Sequence, residues 1–304
     1  MTSHDRAQTH KAPGDPSNRV PLVTPTTWHG IEGVAFLFES HGLTMSVWLD
    51  DAALVPEVAG VLPPGSRFVA GGATDRTFRL GFFPAHLSPS GVEGCLLLAD
   101  DVVAARGYQD GSARLLLPSL ERTLEHYVAE FSTEHLFIHA GVVAWQGKAI
   151  VLPGRSHAGK STLVHGLVDA GATYYSDEFA VIDREGLVHP YARKLSLRDG
   201  PFGTAGRVDL APDDPTAQIP VPVRLVAFLT YAADDSWSVE PLTGAGAILE
   251  VCDHTVAIRR RPADAFAMIG AMVNGATVIK GIRGEVDVAA RTLLDSLDGD
   301  PEAG

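Results

Sequence analysis

The chain carries only two cysteines in 304 residues, Cys95 and Cys252, too few for a disulfide framework or a cysteine-rich zinc site. Positive charge is also short. Lys and Arg number 24 against 37 Asp and Glu, a formal net charge of −13. Nucleic acid and anionic bilayers both attract a surplus of cations, so neither partner is expected. Long apolar runs are missing as well: no uninterrupted stretch approaches the roughly 18 residues of a spanning helix. The opening MTSHDRAQTHKAPGDPSNRV has no apolar core of the kind a secretory signal needs. The expected compartment is the cytoplasm, with both thiols reduced.

What is present is an ordinary globular balance, 45% hydrophobic and 20% charged. At roughly 150 residues per domain, the length suggests about two domains. Residues 1–26, rich in His, Pro, Asp, Ser and Thr, read as a disordered tail, and residues 299–304 look similar. Residues 27–133 read as a smaller N-terminal α/β domain. Val34, Phe36 and Phe38 alternate, as do Met45, Val47 and Leu49, and His41-Gly42 between the two runs suggests a hairpin. Residues 77–83 and 95–98 are further strands. Leu117, Leu120, Leu124, Val128 and Phe131 fall on one helical face. Nothing in this region discloses a chemistry.

Residues 134–298 form the second expected domain. Residues 141–145 and 149–152 read as two strands joined by the tight turn Gln146-Gly147-Lys148. A Gly-containing loop follows, then a helix over about 160–170, with Gly171 placed as its left-handed stop. Residues 174–176 make a short strand ending at Asp177-Glu178, and 179–182 continue in extended form. Residues 223–231 read as a buried strand. Pro262 opens a helix carrying Phe266, Ile269, Met272 and Val273, and a last helix carries Val286, Ala289, Leu293 and Leu297.

The loop carries the sharpest signal. Gly154-Arg155-Ser156-His157-Ala158-Gly159-Lys160-Ser161, followed by Thr162, fits G-x-x-x-x-G-K-[ST]. With 31 Gly, 5 Lys and 36 Ser plus Thr in the chain, chance supplies about 0.006 such matches. The chemistry explains the spacing. Backbone N–H groups turn inward around phosphate oxygens, and the helix that starts near Lys160 adds its positive N-terminal end. Lys160 would reach the outer phosphates and the Ser161 hydroxyl would ligate Mg²⁺. Asp177-Glu178 lies just downstream, at the end of the next strand, where an open α/β sheet places its ligand crevice. One acid would serve as a base and the other as a metal ligand; the residues alone leave the assignment open. His135 and His139 are four apart, but on extended text with no third ligand beside them, so zinc is not expected. Positive charge for an anionic nucleotide must be local. Arg155, Lys160, Arg193, Lys194, Arg198 and the run Arg259-Arg260-Arg261 are candidates, with plain surface charge the competing reading for Arg193, Lys194 and the run.

The segment FIHAGVVAWQGKAIVLPGRSHAGKSTLVHGLVDAGATYYSDEFAVID resembles the catalytic domain of the HPr kinase/phosphorylase family, above all its divergent HPr kinase-related members. The shared order is a His, a strand hairpin, the phosphate loop, its helix, a Gly and an acidic pair, over about residues 134–198. The resemblance implies an α/β P-loop kinase domain of the phosphoenolpyruvate carboxykinase type, ATP and Mg²⁺ as cofactors, and phosphorylation of a seryl hydroxyl. It implies His139 as an active-site residue, Asp177 as the catalytic base, Ser161 and Glu178 at the metal, and Arg198 as a nucleotide-site Arg. Arg259–Arg261 is similar to a later basic segment that faces phosphate. The chain departs from the family at His157, where Gly is usual, at Glu178, where the family has Asp, and at Ser196, where it has a metal-binding Glu. The expected activity is therefore transfer of the γ-phosphoryl group of ATP to a hydroxyl, on a serine of a small protein or peptide other than HPr. A small-metabolite kinase and a non-catalytic nucleotide-binding module are the alternatives. An oligomer is compatible with the resemblance.

Overall fold

The computed structural model describes residues 22–88, 91, 93–107, 112–154, 159–193, 195–198, 205–208, 219–233 and 237–298, with 195–198 and 205–208 as backbone only. The chain divides into two compact units, one up to Glu125 and one from His126. Both are mixed α/β. Among the described residues, no helix is long and apolar enough to cross a membrane. Cys95 and Cys252 are buried free thiols.

The first unit is built on seven strands: β1 (Thr24–Trp28), β2 (Ile31–Ser40), β3 (Leu43–Leu49), β4 (Arg67–Val69), β5 (Arg76–Phe83), β6 (Gly94–Ala99) and β7 (Val102–Arg106). The order across the sheet is β1-β2-β3-β5-β6-β7, with β4 beside β2. All neighbours are antiparallel except β3 and β5, which run parallel; the short helix α1 (Val55–Ala59) and β4 lie in the connection between them. The period-two reading holds. Phe36 and Phe38 sit opposite Val47 and Met45 in the register, and Phe78 follows opposite Val47 on the other side. All five are fully buried. The other face carries Trp48, Phe83, Leu96 and Leu98 as a second cluster. His41-Gly42 makes a two-residue turn with φ positive at both positions, the geometry that matches strand twist in a hairpin. The helix read from its leucine stripe is α2 (Leu117–Phe131).

One boundary needs correction. β1 starts at Thr24, inside the stretch read as a tail through residue 26. Its β-branched threonines favour an extended chain, and Pro25 is tolerated because the strand is an exposed edge. Residues 1–21 and 299–304, the rest of the two expected tails, lie outside the described residues.

The second unit is organised by three parallel strands: β9 (Lys148–Pro153), β15 (Val221–Tyr231) and β17 (Thr277–Arg283), with β15 in the middle. β8 (Leu136–Trp145) pairs antiparallel with β9. The far edge of β8 carries β10 (Thr173–Ser176) and then β11 (Phe179–Ile182). β12 (Leu187–His189) links β11 to the start of β15, and β16 (Ser238–Pro241) closes the edge beyond β17. A separate hairpin is formed by β13 (Leu195–Arg198) and β14 (Ala205–Val208).

Both faces of this sheet are covered, which is why its strands read as continuous apolar runs rather than alternations. Ile150, Leu152, Leu225 and Ala227 pack on one side with α3 (Lys160–Asp169) and α6 (Val286–Asp298). Ala149, Val151, Val226 and Phe228 pack on the other with α4 (Gly244–Cys252) and α5 (Pro262–Asn274). The two helices on the first side approach closely. A Cβ at Gly166 of α3 would lie 2.4 Å from Val286 Cγ2. Of the apolar residues read into α5, Phe266 is exposed; Ala265, Met268, Ile269 and Met272 take the buried face at spacings of three and four. The helix α4, GAGAILEVC, was not legible because its first turn alternates glycine with alanine.

Candidate functional site

β9 runs out at Pro153, and the loop residues follow. Gly154 donates its N–H to the His139 carbonyl of the neighbouring strand. Arg155, Ser156, His157 and Ala158 lie outside the described residues. The chain resumes at Gly159 in the left-handed region, φ +76°, as the residue before α3. Lys160 and Ser161 occupy the first turn, and Thr162 beside them is exposed. The Lys160 ammonium folds back to donate to Gly154 O at 2.6 Å, so the loop's two ends are tied by its own lysine. Downstream, Gly171 N–H donates to Val168 O and Ala172 N–H to Leu167 O, the paired bonds of a glycine-stopped helix.

The acidic pair is placed by a bulge. β10 and β11 are two halves of one edge beside β8, and their register shifts between Tyr174 and Ser176. On a regular strand, residues three apart face opposite sides; one extra residue restores them to the same side. Tyr174 OH thus donates to Asp177 Oδ1 at 3.0 Å, while Ser161 Oγ, arriving from α3, donates to Oδ2 at 3.2 Å. The turn is held from within. The buried Ser176 Oγ accepts from the N–H groups of Glu178 and Phe179, and Ala140 N–H donates to Glu178 O. Burial and the adjacent Asp177 carboxylate push the Tyr174 phenol far up, so it stays a neutral donor.

His139 completes the cluster. Its backbone N–H donates to His254 O, its ring lies 4.8 Å from the Phe179 ring, and its Nδ1 stands 3.9 Å from Glu178 Oε1. Burial first, then His126, Lys160 and His254, lower its pKa to about 4, so the imidazole is neutral at pH 7. Lys160 is also lowered by burial, with Glu178 and Asp177 acting against that shift. The structure therefore brings His139, Gly154, Gly159, Lys160, Ser161, Asp177 and Glu178 together at one edge of the sheet.

Other expected cations fall elsewhere or beyond description. Arg260 pairs with Glu130 Oε1 at 3.0 Å and covers the Phe131 ring; Arg261 donates to the His135 carbonyl, just before β8. Arg260 thus holds the end of α2 and Arg261 the start of β8. Lys194 lies outside the described residues, as do the side chains of Ser196 and Arg198, whose backbone forms β13 against α3. Two contributors were missed. Tyr174 was hidden because its spacing from Asp177 makes sense only with the bulge. Arg283, whose Nη2 reaches Gly159 O, lies 123 residues beyond Lys160 in sequence; the signal that could have found it is a charge at the carboxyl end of a strand, where α/β sheets gather ligands.

The donor set suits a hard cation and a polyphosphate. Ser161 hydroxyl and the Asp177 and Glu178 carboxylates offer oxygen ligands of the kind Mg²⁺ prefers, beside one lysine and a helix N-terminus. Among the described residues, no group of three or more His, Cys, Asp and Glu is arranged as a metal site made by the protein alone. No protein-family model and no curated protein matches the chain. Among solved structures, it is similar to the HPr(Ser) kinase/phosphatase from Coxiella burnetii over 53% of this chain and 95% of that chain, at 15% identity and a TM-score of 0.32. That likeness is too slight to carry an argument.

Proposed function

We propose that the second unit is an ATP- and Mg²⁺-dependent kinase that moves a γ-phosphoryl group onto a hydroxyl, on a serine of a small protein or peptide. The observation that carries this reading is the Ser161–Asp177 hydrogen bond. It joins the phosphate-loop helix to the acidic turn, with Lys160 alongside. The choice of a seryl acceptor rests on the resemblance of the loop, hairpin and acidic-pair segment alone.

Bound Mg-nucleotide would supply the transferable group and neutralise its developing charge. The chain's own residues do the rest. Lys160 and the loop amides hold the outer phosphoryl oxygens, and Ser161 and Glu178 offer oxygens to the metal. Asp177, fixed in orientation by Tyr174, accepts the proton of the acceptor hydroxyl as its oxygen bonds to phosphorus and the bond to the leaving diphosphate breaks. Neutral His139 borders the pair without adding a charge.

The test is transfer of labelled γ-phosphate to proteins and peptides encoded beside this chain, with mass spectrometry of the product. Lys160→Ala should cut transfer by about a hundredfold to a thousandfold, the range for removing one preorganised donor from a transferring group. Asp177→Asn should abolish transfer and leave nucleotide binding. Full activity of Asp177→Asn would remove it as the base. Binding without transfer to any acceptor would mark a regulatory module.

A further inference from the structure

Arg283 is the last residue of β17 and only 3% exposed. Its Nη1 donates to Gly284 O at 3.0 Å, its Nη2 reaches Gly159 O at a long 3.3 Å, and its guanidinium lies over the Tyr231 ring. The neighbouring Glu285 favours its charge but spends Oε1 on Tyr231 OH at 2.8 Å. Among the described residues, no carboxylate makes an ion pair with Arg283. Buried guanidinium groups are normally matched by an anion, because taking the charge out of water is costly. The position fits one kind of anion. β17 is parallel to β15 and β15 to β9, so the end of β17 opens on the edge where the phosphate loop begins. A Cβ on Gly159 would lie 2.9 Å from Nη2, so the guanidinium is packed against the loop's last glycine.

We infer that Arg283 is a phosphate-binding residue of this site, its planar fork donating to the phosphoryl oxygens of a nucleoside polyphosphate beside Lys160. The inference rests on the kinase reading of the same loop. It adds a second cation, supplied from two strands along the sheet.

The experiment uses the full chain, with MgATP, MgADP and inorganic pyrophosphate as probes in calorimetry and thermal melting. Arg283→Gln should weaken nucleotide binding by about tenfold to a hundredfold, the range for losing a charge-assisted hydrogen bond. Arg283→Lys, which keeps charge and stem, should weaken it less and covers the case in which the Gln variant does not fold. A residue that only braced Gly159 would lower the melting temperature with and without nucleotide and leave the nucleotide-induced rise intact. That result, or wild-type affinity in either folded variant, overturns the inference. Should the native chain ignore ATP yet bind pyrophosphate in an Arg283-dependent way, the anion site stands and the kinase reading falls. Binding of neither probe ends both.

Discussion

The two sheets use their charges differently. In the first unit, Arg79 pairs with Asp101 and Arg76 with Asp100, at the turn between β6 and β7. Such surface pairs contribute little and arrange no reactive group. In the second unit, Lys160 and Arg283 donate to the carbonyls of Gly154 and Gly159, Asp177 accepts from two hydroxyls, and His139 and Glu178 stand beside them. Topology explains the contrast. In the first unit, β1–β2, β2–β3 and β6–β7 are antiparallel neighbours joined by two-residue turns, which send the chain straight back. Parallel β9, β15 and β17 need crossovers, and their carboxyl ends collect side chains from distant stretches of sequence. The architecture of the second unit thus favours the same site as its loop does for the proposed nucleotide chemistry.

The strongest way to break that assignment is to damage the first sheet. Phe78 is fully buried between Val47 and Ala99 in the register. Phe78→Ala should cost about 3–5 kcal/mol of the first unit's stability, seen as faster amide exchange along β3 and β5. On the proposed function, the folded variant should match the native chain in its affinity for MgATP. A parallel loss of nucleotide affinity would show that the chemistry does not belong to the second unit alone.

A smaller effect tests how the acidic turn is held. Tyr174→Phe removes the hydroxyl that donates to Asp177 and leaves the ring in its packing. Transfer should fall about tenfold in kcat with the KM for nucleotide unchanged, as expected for losing one hydrogen bond to a charged group. A change confined to KM would move Asp177 from proton transfer to nucleotide binding.

These cases also mark where the sequence was readable. The strands of the first unit were legible because Phe36, Phe38, Met45 and Val47 obey a period of two on one face. The glycine loop was legible because Gly154, Gly159, Lys160 and Ser161 are contiguous and each answers a local need of phosphate binding. Asp177-Glu178 was found from its place after the next strand. Tyr174 was not, since a bulge breaks the period on which such a reading depends. Nor was Arg283, because the parallel pairings that bring β17 to the loop are decided by packing across the whole sheet. The serine at 196 and the arginine at 198 fall where side chains are not described, so they add nothing to either side of the comparison.

The gentlest probe is pH, and the two units should respond with opposite sign. His139 is lowered from 6.5 to about 4, chiefly by burial, so the unfolded chain binds its proton more readily than the folded one. Its neutral ring therefore favours folding fully above pH 6.5, and that contribution is lost as pH falls through 6.5 towards 4. Asp50 of the first unit is raised above 3.8, again by burial first. There the folded state holds the proton longer, so its contribution is fully present below 3.8 and declines as pH rises through the folded value. His139→Asn should flatten the acid loss of stability in the second unit, and Asp50→Asn should remove the opposing trend in the first. Both side chains keep contact with water, so each change should be modest. A gain in second-unit stability on acidification would mean that His139 charges and draws Glu178 across their 3.9 Å gap. The imidazole would then be a partner of the acidic pair, and the neutral border assigned to it would be wrong.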